Sequence, residues 1–310
     1  MNRAKATYIL KVLVLFLVIS FIADKIVFIT LNKISDNVYT GQTVGKLNHY
    51  LKIKDRLDFI VYGSSRANRN VNPLEISKNS FNMGVDGTRL AYATILIKLL
   101  DNKQQTVLLH IDPNKAFLSK YDAKDIDALL IKYNRIDTIT KEIEALNRNN
   151  IAQQFYWSLA YNGSMLGILK NYFKPKYDYK EYSGFDPIHV SKEQKELFKK
   201  QRERNLINNE CEKPFEINTI YNSLLDQLIV FCNNNNKKLI LFSSPKLVDS
   251  CPEDNIIFTE ILKKKGLVFH DFTNFFDTDF KEEYWKDNSH LSDVGAKVFT
   301  KAVKQLVMGN

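Results

Sequence analysis

Apolar positions follow two different patterns along this chain. From Tyr8 to Leu31 it reads YILKVLVLFLVISFIADKIVFITL, apolar or hydroxyl-bearing without a break from Val12 to Ala23. Beyond that segment, short apolar runs alternate with longer stretches of helical spacing. A helix rises about 1.5 Å per residue, so roughly 20 residues cross the hydrocarbon of a bilayer. Residues 1–31 therefore predict an uncleaved N-terminal membrane anchor, with Lys11 and Lys25 able to reach the headgroups. Asp24 is its awkward member. A cleaved signal peptide has an apolar stretch as long as Val12–Ala23, but no small-x-small site follows and Ile26–Leu31 resumes the run. A buried core helix is the third option. Arg3 and Lys5 precede the span while Lys25 and Lys33 follow it, so charge alone orients it weakly.

Residues 32–56 read as a polar connector. Leu57–Tyr62, Ser80–Asn82, Thr106–Ile111, Lys238–Phe242 and Leu267–Phe272 have the length and composition of short strands. Helical spacing covers Arg89–Leu100, Phe215–Asn233, Asn255–Lys265 and Asp293–Val307, the last capped by Ser292. Strands alternating with helices predict an α/β domain over 57–310, a five-stranded parallel sheet between two helical layers. Ligands bind such sheets off the carboxyl ends of the strands. Gly63-Ser64-Ser65, Asp112-Pro113-Asn114 and Ser243-Ser244-Pro245 all fall there. Residues 117–214 break the rhythm and read as a helical insertion.

Composition narrows the function classes. The 310 residues are 45% hydrophobic and 25% charged, which excludes a disordered chain. A mean hydropathy of −0.27 excludes a polytopic membrane protein. The net charge of +9 is scattered, and Glu193, Glu196 and Glu203 interleave the basic residues of 191–204. That is a solvated helix face, so no nucleic-acid partner is expected. Three cysteines make no disulfide framework; Cys211 and Cys251 would pair only in an oxidising compartment, and Cys232 lies on an apolar helix face. No histidine pair has metal-ligand spacing, so neither a metal nor a cofactor is expected.

Two motifs carry chemistry. In Asp287-Asn288-Ser289-His290, an Asp three residues before a His can accept the imidazole Nδ1–H and leave Nε2 as a general base. A capped surface loop explains the same residues. After the first strand, Gly63-Ser64-Ser65-Arg66 permits a sharp turn that presents a hydroxyl at a helix N-terminus; a plain turn is the alternative.

Together, in this order within an alternating α/β chain, the motifs resemble the SGNH (GDSL-type) hydrolase superfamily. That family has a three-layer, flavodoxin-like fold. The resemblance implies that Ser65 is the nucleophile and an oxyanion donor, with His290 and Asp287 completing the triad. The family's second block resembles Asn82-Met83-Gly84-Val85-Asp86-Gly87 and implies Gly87 as the second donor. Asp112-Pro113-Asn114 matches the third block loosely and implies Asn114 as a side-chain donor. Ser64 stands where the family has Asp. Such departures are similar to those of membrane-anchored members that modify bacterial envelope polymers.

The implied protein is a single-pass, extracytoplasmic serine esterase or O-acyltransferase acting on acylated cell-envelope glycan. It would be tethered by its N-terminal helix and could work within a polysaccharide acyl-transfer or assembly complex. An inactive scaffold or glycan-binding partner on the same fold is the alternative. Arg66, Asp86 and Arg89 border the motifs as candidate substrate-binding residues, against readings as a solvent-facing Arg and loop stabilisers. His110 and His270 read as core or supporting histidines, and Ser243 and Ser244 as a turn.

Overall fold

The computed structural model describes residues 3–204, 211 and 215–309, with side chains 201–204 left aside. In chain order the helices are α1 (Arg3–Ser35), α2 (Lys46–Ile53), α3 (Ser65–Asn70), α4 (Leu90–Ile97), α5 (Asp137–Ala145), α6 (Ile151–Phe155), α7 (Met165–Phe173), α8 (Lys192–Arg204), α9 (Thr219–Asn234), α10 (Pro252–Lys264) and α11 (Asp293–Met308). The strands are β1 (Phe59–Tyr62), β2 (Ser80–Asn82), β3 (Gln105–His110), β4 (Lys237–Phe242) and β5 (Phe269–His270). Two compact units emerge: Met1–Asn48 with Asp127–Tyr179, and His49–Ile126 with Lys180–Asn310. The stretch 117–214 is thus divided, its middle grouping with the N-terminal segment.

In the first unit, α1 extends to Ser35, past the end at Leu31 that hydropathy suggested. Its 33 residues span about 50 Å. Its most apolar window has a mean hydropathy of 2.7 and is 11% buried, so it is long and apolar enough to cross a membrane. Asp24 finds its partners in the short 3-10 turn Trp157–Tyr161. Its carboxylate accepts the N–H groups of Trp157 (2.8 Å) and Ser158 (3.0 Å) and the Ser158 hydroxyl. Lys25 donates to the Phe155 carbonyl and lies 4.0 Å from the centre of the Trp157 ring. Phe28 packs edge-on against Trp157 and Tyr161. On α6 and α7, which flank that turn, Ile151, Phe155, Leu166 and Phe173 are exposed.

The second unit is the expected α/β sheet. All pairings are parallel, in the order β2-β1-β3-β4-β5, the order of one of the two common doubly wound folds. Strands buried on both faces read as continuous apolar runs, which is why β1 and β3 were visible in sequence. With a side-chain period of two, Phe59, Val61, Leu108, Ile240 and Phe242 share one face with Ala67 of α3 and Phe299 and Val303 of α11. Ile60, Tyr62, Val107, Leu109 and Leu241 point the other way. There the Tyr50 hydroxyl bonds the Tyr62 hydroxyl (2.8 Å) and the Leu96 carbonyl (2.9 Å). β5 is shorter than the expected Leu267–Phe272. The free edge of β2 is covered, because the Asn82 N–H donates to the Ser183 carbonyl at 2.7 Å.

In doubly wound sheets the ligand crevice opens where successive crossovers diverge, here between β1 and β3. Ser65 follows β1, and Asp112 follows β3.

Candidate active site

β1 leaves the sheet through Gly63, whose φ of +137° is a region that favours glycine. A Cβ there would sit 2.8 Å from the Cβ of His110. The chain then enters α3 at once. Ser64 is the cap, its Oγ accepting the Arg66 N–H at 3.4 Å. Ser65 is the first helical residue, where a backbone N–H has no partner within the helix.

α3 is polar in sequence, yet Arg66, Asn68 and Asn70 are buried. Such burial needs hydrogen bonds in place of water. Arg66 is 5% exposed, donating from Nε to Ser244 Oγ (3.0 Å) and from Nη2 to the Ser244 carbonyl (2.9 Å). Its Nη1 meets Asp112 Oδ2 at 3.3 Å, and the other Asp112 oxygen lies 3.0 Å from Lys246. Lys246 also pairs with Asp249 at 3.0 Å. Burial alone would raise the Asp112 carboxyl, but the Arg66 and Lys246 charges hold it well below the carboxylate range. Asn70 donates to Ser244 Oγ (3.2 Å) and accepts the Leu291 N–H (3.2 Å). These ties join the ends of β1, β3 and β4 and fasten the C-terminal motif to α3.

That motif is a closed turn. Trp285 and Leu291 form an antiparallel bridge, and the Lys286 N–H donates to the His290 carbonyl at 2.9 Å. Asp287 Oδ1 accepts the Ser289 and His290 N–H groups, each at 2.9 Å. Both Asp287 oxygens lie 3.0 Å from His290 Nδ1. Burial would raise Asp287, but the His290 hydrogen bond and these N–H groups outweigh it and hold the carboxyl at about 2. An ionised Asp287 keeps the proton on Nδ1 and leaves Nε2 with its lone pair. Nε2 is 2.8 Å from Ser65 Oγ, across a sequence separation of 225. The structure thus brings Ser65, His290 and Asp287 into one hydrogen-bonded chain.

Ser65 and His290 line a cavity of about 270 Å³ together with Gly87. The turn carrying Gly87 is pinned to the Gly63 carbonyl by the Val85 N–H (2.9 Å) and the Thr88 hydroxyl (3.2 Å). Gly87 has φ +80°, and its N–H has no acceptor among the described residues. Asn114 is not among the residues that line the cavity; its Oδ1 is buried and unpartnered.

The three flanking residues have different fates. Arg66 lines the cavity, but its guanidinium is committed to Ser244 and Asp112 rather than to solvent. Asp86 is exposed, lies outside the lining and bonds Arg69 at 2.6 Å. Arg89 lines the cavity. His110 lines it as well; burial, with the Arg66 charge, pushes its imidazole well below the ordinary value, so it is neutral. Ser243 and Ser244 are fully buried; Ser244 belongs to this network, while Ser243 donates to Asp271 and accepts the Phe272 N–H. Sequence reasoning missed Lys115, Tyr221 and Lys246. Lys115 was findable, since it follows Asp112 at a strand end; Tyr221 sits mid-helix, where nothing marked it. No group of three or more metal-ligating side chains occurs among the described residues.

The sequence matches no protein-family model and no curated protein.

Proposed function

We propose that this protein is a membrane-anchored serine esterase or O-acyltransferase of the SGNH type, acting on acylated cell-envelope glycan. The observation that carries the reading is the 2.8 Å contact between Ser65 Oγ and His290 Nε2, with Asp287 behind the imidazole. The doubly wound strand order, with Ser65 after the first strand and His290 ahead of the last helix, agrees with it.

His290 Nε2 takes the Ser65 proton as Oγ bonds the ester carbonyl carbon, and Asp287 stabilises the imidazolium. The oxyanion faces the Ser65 and Gly87 N–H groups. Collapse breaks the ester C–O bond, and the leaving alcohol takes the proton from His290. Water or a sugar hydroxyl then gives its proton to His290 as it bonds the acyl carbon; the acyl–Oγ bond breaks, and Ser65 Oγ takes the proton back from His290.

Two features support attachment and side. The helix α1 is long and apolar enough to span, and its Asp24 is satisfied by protein groups. Cys211 and Cys251 form a disulfide, which fits an oxidising, extracytoplasmic compartment. A catalytically silent scaffold in a polysaccharide assembly complex is the second reading, favoured by the position of Asn114 outside the cavity lining.

Turnover of 4-nitrophenyl acetate by the full chain in detergent separates the two. Ser65→Ala is expected to lose at least about 10³-fold in kcat/KM. Equal turnover in both proteins would favour the scaffold.

A further inference from the structure

We propose that the cavity beside Ser65 binds a substrate carrying an anionic group, a carboxylate or a phosphate, held by Arg89, Lys115 and Tyr221. The proposal rests on reading this cavity as the acyl-transfer site and adds the charge class of its substrate.

The basic side chains around the cavity fall into two pairs. Arg66 and Lys246 share Asp112, and Lys246 also holds Asp249. Arg89 and Lys115 line the cavity, are half-buried, and form no ion pair among the described residues. Asp125, at the Arg89 backbone, is already occupied: it accepts the Arg89 N–H (2.9 Å), the Tyr92 N–H (3.0 Å) and the Tyr121 hydroxyl (3.0 Å). The Arg89 guanidinium instead lies over the Tyr121 ring, 5.8 Å from its centre.

Tyr221 supplies the second, independent observation. It is 2% exposed and lines the cavity, yet its hydroxyl has no hydrogen-bond partner among the described residues. Its position is fixed, because Asn218 caps α9 by accepting the Ile220 and Tyr221 N–H groups and donates to the carbonyls of Leu118 and Tyr121. Burial and the Asp112 and Asp125 charges disfavour ionisation of this phenol, and the Arg89 charge opposes them. The phenol therefore stays a donor.

Arg89, Lys115 and Tyr221 line one cavity, two of them cations without an ion-pair partner among the described residues. A carboxylate or phosphate oxygen would accept charge-assisted bonds from them, whereas a neutral acyl ester carries no charge to match theirs. Arg89 lies two residues beyond Gly87, and Lys115 lies three beyond Asp112. Ser65 lines the same cavity.

The test is calorimetric binding to the full-length Ser65→Ala protein, which needs no turnover. The probes are glycerol 3-phosphate and galacturonate, with glycerol and galactose as neutral counterparts. At least one anion should bind about tenfold or more tightly than its neutral counterpart, and salt should weaken it. Arg89→Gln and Lys115→Gln should each weaken that anion at least about fivefold, while Arg89→Lys, which keeps the charge and loses the planar fork, weakens it less than Arg89→Gln. Preference for the phosphate or for the uronate identifies the source of the charge. Equal or absent binding of charged and neutral probes would overturn the proposal, as would anion binding that survives both Gln substitutions. Anion binding by a protein whose wild type turns over no ester would sink the esterase reading and leave this one standing.

Discussion

Arg66, in sequence either a substrate ligand or a solvent-facing side chain, lines the cavity but has its guanidinium held by Ser244 and Asp112. Removing one member of a buried charge network leaves the others uncompensated, at a typical cost of about 3–5 kcal/mol. Arg66→Met should therefore lower the free energy of urea unfolding by that order, since Asp112 keeps only Lys246. Wild-type stability with a raised KM alone would instead make it a substrate ligand. Asp254 gives a second residue-scale prediction. It is buried, its Oδ1 has no partner, and burial with the Asp249 charge raises its carboxyl to about 6. The folded state thus holds this proton more tightly than the unfolded one. Stability contributed here is full below about pH 4, falls as pH rises toward 6, and is lost above it. Asp254→Asn should raise Tm by a few degrees at pH 7 and by much less at pH 4, measured by scanning calorimetry. An equal shift at both values would contradict a titration origin.

At the scale of elements, what could be read depended on whether the signal was local. β1, β3 and β4 announce themselves as apolar runs ending in small or polar residues, and Ser292 marks the start of α11. Ser65 and His290 were legible for the same reason, each standing at the end of one element and the start of the next. The burial of α3 was not: Ser-Arg-Ala-Asn-Arg-Asn looks solvent-facing, and its partners Ser244, Asp112, Asp86, Asp186 and Leu291 lie elsewhere along the chain. Asp24 looked misplaced because its partners lie at Trp157 and Ser158. Tyr221 reaches the cavity only through the packing of α9. The Cys211–Cys251 pair stayed open in sequence because spacing does not report distance, yet it closes a loop of 40 residues. Loop-closure entropy for that length corresponds to about 4 kcal/mol. Reduction, or Cys251→Ser, should lower unfolding stability by about 2–4 kcal/mol, with Cys232 alone unpaired in the native thiol map. A native protein carrying three free thiols would contradict the pairing.

On the scale of the whole molecule, the chain combines an apolar N-terminal helix, a compact unit around it and an α/β unit that carries a serine, a histidine and an aspartate in hydrogen-bonding order. Activation of Ser65 as a nucleophile can be tested without knowing the acyl group or the acceptor. The measurement is intact mass, with peptide mapping, after treating the full-length protein in detergent with a fluorophosphonate. One adduct on Ser65 in the wild type, none in Ser65→Ala and markedly slower labelling in Asp287→Asn is the predicted result. An unlabelled wild type, or equal labelling of wild type and Ser65→Ala, would contradict it.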